Sequence, residues 1–140
     1  MTYNAKSETI KEKPSFRNSI KDKKCIIIAD GFYEWQSTSK GKLCHYITHP
    51  EKEIFTFAGI WSVWLDKKTG ELIKSVSIIT QSANPMMEKI HNVKKRQPVI
   101  LIKENRNKWF DSGLNYEEIL DDSYNINLIN KIVESPLKIK

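Results

Sequence analysis

A chain of 140 residues, 39% hydrophobic and 29% charged, has the make-up of one globular domain long enough to bury most of its apolar surface. No run approaches the roughly 18 apolar residues that a spanning helix needs, and no basic start leads into an apolar stretch, so no membrane span, no secretion signal and a cytoplasmic location are expected. Lys and Arg outnumber Asp and Glu by 23 to 17, and the net charge of +6 attracts polyanions over a Debye length of about 8 to 10 Å. Nucleic acid is admitted as a partner, although solvated lysines alone give the same balance.

In chain order, residues 1–24 are polar. Lys13 precedes Pro14 and is held extended or in a turn, and Pro14 is placed to open a short helix to Lys23. Strands are predicted over 25–30, 33–36, 43–48, 54–64 and 73–80, separated by the turn-prone segments SKGK and DKKTGE. Asn84 and Pro85 then read as the N-cap and first residue of a helix through His91. A buried PVILI strand follows, and residues 104–110 and 116–121 read as helices. Strands dominate and helices are inserted rather than alternating, so the expected class is α+β around a mainly antiparallel, curved sheet. Cys25 and Cys44 are expected to be reduced thiols with structural roles.

Three residues stand out chemically. Residues 25–36 read CIIIADGFYEWQ and set one carboxylate, Glu34, among Phe32, Tyr33 and Trp35. Such a carboxylate either faces solvent from a half-buried strand or is held in a desolvated pocket, where burial raises its pKa toward proton-transfer range. His91 ends the short helix and is followed by Lys94, Lys95 and Arg96, whose charges favour a neutral, proton-accepting imidazole; the plainer alternative is a helix-end histidine that complements the macrodipole. Asn4 by itself reads as a turn or cap residue. The three histidines and two cysteines have no metal-ligand spacing, and neither a metal nor a cofactor is expected.

Six blocks occur in order: NAKSET from Asn4, EKPSF from Glu12, the Cys25 segment ending GFYEW, FAGIW from Phe57, TQSAN from Thr80, and IHNVKKRQPVIL from Ile90. Together they resemble the SOS-response-associated peptidase (SRAP) family, whose members process abasic sites in DNA. An ordered set is far more specific than any one short motif. The resemblance covers about residues 3–102, and the remainder, about 103–140, is expected to be a helical C-terminal part of a single domain.

The resemblance implies a compact α+β fold with a barrel-like sheet and a basic DNA groove. It implies that Asn4 bonds the sugar or an N-terminal amine, and that Glu34 and His91 handle protons as an abasic site in single-stranded DNA is opened and condensed. In the family, a cysteine following the initiator Met closes a thiazolidine with the ring-opened sugar and gives a stable DNA-protein crosslink; the same cysteine accounts for autopeptidase activity. Here position 2 is Thr2, and the chain is expected to lack the usual N-terminal segment. Lys6 replaces an Arg, Gln97 a Met and Ile28 a Pro of the family pattern. Lys6, Arg17 and Arg96 are the expected phosphate contacts, against solvated surface cations as the alternative. A monomer is expected. The resemblance supports an abasic-site-processing protein, with a catalytically dead DNA-binding remnant as the alternative.

Overall fold

The computed structural model describes residues 4–137. In chain order the elements are β1 (Asn4–Lys6), α1 (Ser19–Asp22), β2 (Lys24–Ala29), β3 (Phe32–Thr38), β4 (Gly41–Thr48), β5 (Phe55–Leu65), β6 (Leu72–Ser82), α2 (Pro85–Ile90), β7 (Arg96–Pro98), α3 (Asn105–Lys108), α4 (Tyr116–Tyr124) and β8 (Ile129–Val133).

The strands form two sheets. One runs β1-β6-β5-β2 with β7 also on β6, and the other runs β3-β4-β8. Every pairing is antiparallel except β1 with β6. The α+β class and the mainly antiparallel pairing match expectation. The expected curved sheet is present and is divided into two sheets that do not close on themselves among the described residues.

Period-2 alternation sorts the larger sheet into two faces. Ala5, Ala58, Ile60 and Ile79 face a cluster completed by Phe16, Ile20, Trp109 and Ile119 from the helical segments. The alternate positions Phe57 and Ile78 face Phe32 of the second sheet. Burying each large side chain contributes about 1.5 to 3 kcal/mol, so the two clusters hold the sheet between the helices and the smaller sheet. Trp109 is fully buried, and its indole N–H donates to the Cys25 carbonyl at 3.0 Å. Gly31 lies under the Tyr46 ring, where an added Cβ would come within 2.6 Å of ring atoms. Both cysteines are free thiols.

Three local expectations are corrected. The helix expected from Pro14 shortens to α1, because the preceding bonds, such as Arg17 N–H to the Lys13 carbonyl, close separate turns. The regular strand in PVILI ends at Pro98; beyond it the buried segment divides its bonds between neighbours. Val99 N–H donates to the Ile79 carbonyl, and the Val99 carbonyl accepts from Ala58 N–H. The C-terminal part is not purely helical: β8 pairs with β4. It is an edge strand with mostly exposed side chains, so it carries little of the alternation that marks a strand in sequence. Among the described residues no helix is long and apolar enough to cross a membrane.

Candidate functional site

Asn4, Glu34 and His91, far apart in the chain, line one cleft of about 320 Å³ together with Thr80 and Arg96. Its floor is apolar, made by Phe32, Phe57 and Ile78. Each polar residue arrives by a different route. Ala5 is buried in the helix-facing core, so the adjacent positions Asn4 and Lys6 fall on the opposite, cleft-side face of β1. Glu34 is carried by β3, opposite His45 on β4. His91 follows α2, whose start is the predicted one: the Asn84 side chain accepts from Met87 N–H and Pro85 occupies the first turn.

The His91 imidazole is oriented from both sides. Its Nδ1 accepts the Arg96 backbone N–H at 2.9 Å, which leaves the ring proton on Nε2. That Nε2 lies 3.8 Å from Glu34 Oε2, too far for a hydrogen bond but close enough for a strong field. Both side chains are about one quarter exposed. Burial pushes the Glu34 carboxyl above its ordinary value, and His91 opposes that rise when its ring is protonated. Glu34 is therefore the desolvated carboxylate of the two readings, and its position suits proton exchange with a group in the cleft.

Two of the three cations expected to act on His91, Lys95 and Arg96, are engaged elsewhere. Lys95 pairs with Glu88 at 3.1 Å. The Arg96 guanidinium forks onto Glu8, Nη1 to Oε1 at 2.8 Å and Nη2 to Oε2 at 2.9 Å, and Nη2 also donates to Thr80 Oγ1 at 3.0 Å. The backbone of Arg96, not its charge, sets the tautomer. That fork in turn holds the Glu8 carboxyl below its ordinary range, against the opposing effect of burial.

Sequence reasoning missed the residue that fixes this geometry. Asn92, next to His91, accepts from Ser37 N–H at 3.0 Å and donates to the Ser37 carbonyl at 2.9 Å. Its amide thus imitates a strand partner and pins the loop after α2 to β3. No motif marks this contact, because it depends on two segments meeting. Gln97, where the family pattern has Met, is buried and accepts from Asn84 N–H at 2.8 Å, so it supports the start of α2.

Of the expected phosphate contacts, Arg96 lines the cleft, and Lys6 is exposed on the same strand as Asn4. Arg17 is not brought there; it lines a separate cavity near α1. No cysteine lines the cleft: Cys25 is on β2 and Cys44 is buried in β4. Outside the cleft, His49, Glu51 and Glu53 bring ligating atoms within 4.8 Å of one another, and His49 Nδ1 already accepts from Glu51 N–H at 3.2 Å. Thr2 lies outside the described residues.

The chain is similar to proteins of known class. It is 41% identical over 109 residues to the abasic site processing protein YobE of Bacillus subtilis, covering 77% of this chain and 48% of that protein. It is 32% identical over 131 residues to the abasic site processing protein HMCES of Xenopus tropicalis, covering 80% of this chain and 38% of that one. It thus spans less than half the length of each. A crystal structure of a protein from Bacteroides thetaiotaomicron superposes with a TM-score of 0.85 at 37% identity, over 96% of this chain and 60% of that one. One from Bordetella bronchiseptica gives 0.78 at 26% identity, over 94% and 65%. The family model described as SOS response associated peptidase matches residues 1–132, and the chain belongs to that SRAP family.

Proposed function

We propose that this chain carries the acid-base half of an abasic-site processing centre and that its substrate is single-stranded DNA containing an abasic site. The supporting observation is the meeting of Asn4, Glu34 and His91 in one cleft, with a desolvated carboxylate 3.8 Å from an imidazole of defined tautomer. The relatives named as abasic site processing proteins support the same reading.

In this reading the deoxyribose enters over the apolar floor, and Asn4 bonds a sugar hydroxyl or an attacking amine. Glu34, in its protonated form, donates to the ring oxygen as the sugar opens to the aldehyde. The His91 Nε2–H neighbours Glu34 and stabilises the carboxylate left behind; proton return from the substrate restores the acid. An amine condensing with the aldehyde gives an imine and releases water.

The family's thiazolidine needs an amine and a thiol on one residue. Cys25 and Cys44 are inside the chain and carry no free amine, so neither closes such a ring and an imine formed on this chain is expected to stay reversible.

The test is incubation with abasic single-stranded DNA, with and without borohydride, followed by a denaturing gel. A heat-stable band is expected only with borohydride, which reduces the imine to an amine. Glu34→Gln is expected to slow its appearance by about a hundredfold or more. A heat-stable band without borohydride overturns the account of the nucleophile. Equal trapping rates with and without the Glu34 carboxyl overturn its role and leave the DNA-binding remnant as the better reading.

A further inference from the structure

On the helix-covered side of the larger sheet, Lys11, Arg17, Lys21 and Lys24 line a cavity of about 440 Å³ beside Tyr116. Ile20, buried in the helix-facing core, also lines it. The sheet therefore separates this cavity from the cleft, whose floor residues Phe57 and Ile78 are on the other face. No acidic side chain lines the cavity, and among the described residues none of its four cations has an ion-pair partner within 4 Å. Asp111 is the acid whose field reaches Lys24.

Gathering like charges around one space costs electrostatic energy that a bound anion offsets. Burial pushes the Lys24 ammonium toward the neutral form; the Asp111 charge opposes this, and repulsion from Lys11 adds a smaller push in the same direction as burial. The aromatic neighbours are already used by these cations. Lys11 lies 5.5 Å from the Tyr116 ring centre and Lys24 lies 5.1 Å from that of Trp109, and the two rings stack at 6.2 Å. The site thus presents charge to a ligand rather than a platform for stacking a base.

We infer that Lys11, Arg17, Lys21 and Lys24 form a second phosphate-binding site, which holds the backbone of nucleic acid independently of its bases. The assignment rests on the nucleic-acid part of the proposed function and adds a contact face that the cleft does not include. Backbone phosphates fit because an unpaired ammonium or guanidinium recognises them without reading sequence. Free inorganic phosphate has the same chemistry and must be separated by experiment.

Binding of a labelled oligothymidylate is measured by anisotropy at several salt concentrations for the full chain, for Arg17→Ala combined with Lys21→Ala, and for Arg17→Glu. Both positions are exposed, and thermal unfolding verifies that each variant is folded. Two lost phosphate contacts are expected to make the log affinity against log salt slope shallower by about 1.4, at roughly 0.7 per contact on single strands. Titration of the oligonucleotide is expected to shift the backbone amide resonances of Arg17, Lys21 and Lys24. Unchanged slopes overturn the proposal. So does a response of those amides to inorganic phosphate with no change of slope, which would mark a free-anion pocket. Borohydride trapping reports on the cleft separately, so loss of either result leaves the other interpretable.

Discussion

Asn92 grips Ser37 with both ends of its side-chain amide, as an acceptor from the backbone N–H at 3.0 Å and a donor to the carbonyl at 2.9 Å. This pair joins the loop after α2 to the strand that carries Glu34, and so fixes the separation of His91 from Glu34. The candidate site is held by a contact that takes no part in its chemistry.

Asn92→Ala is expected to destabilise the fold by about 1 to 3 kcal/mol, since it leaves both Ser37 backbone groups without this partner. It should also loosen His91, which imidazole resonances in a proton NMR titration report. Asn92→Asp keeps an acceptor but loses the donor, and should fall between the two. An unaltered denaturation midpoint in Asn92→Ala would show that the clamp contributes nothing.

Glu34→Gln is expected to stabilise the protein at neutral pH while impairing the site. Burial raises the folded-state pKa of Glu34 above its ordinary value of 4.5, so the folded form binds the proton more tightly than the unfolded chain does. Wild-type stability therefore declines relative to the variant as pH rises from 4.5 through the raised folded value, and the difference closes below 4.5. The titratable and charged groups facing Glu34 are His91 and Arg96 in the cleft and His45 across the strand pair, and the Arg96 charge is matched by Glu8. Urea denaturation at pH 4 and pH 8 checks the sign; a variant less stable at pH 8 would contradict it.

Glu8→Gln should release the Arg96 guanidinium. The carboxylate is about half exposed, so the stability cost is expected to be no more than about 1 kcal/mol. Oligothymidylate binding is expected to strengthen, because Arg96 becomes able to meet a phosphate without displacing a carboxylate. Anisotropy titration decides this, and weaker binding would mean that the fork is needed to aim Arg96.

Gly31→Ala should cost about 1 to 3 kcal/mol, since the new methyl meets the Tyr46 ring at 2.6 Å and the ring must move. Tyr46 also donates to Asp30 at 3.3 Å, which limits that movement. A thermal melt of the variant measures the cost.

Much of the fold was legible because it depends on near neighbours. Asn84 followed by Pro85 specifies a helix start through local bonds and dihedrals, and the apolar stretches of β2, β5 and β6 specify strands. The SRAP resemblance was carried by short blocks in order, and each of those blocks lies in the matched family region. Asn4, Glu34 and His91 were identifiable from the same blocks.

Their meeting was decided only by tertiary structure. β1 is too short to announce itself, and it exists because β6 offers a free edge at Ile78, Ile79 and Thr80. The edge strand β8 buries too little to leave a pattern, so it too was missed. The His91 tautomer follows from a turn that returns the Arg96 N–H to the ring, and the Arg96 charge is matched by Glu8 from a distant segment. Arg17 resembles Arg96 in sequence terms, yet the chain path puts it across the sheet. Alternation and capping are settled within a few residues, whereas the partner of a charge depends on register and on which face of a sheet the chain crosses.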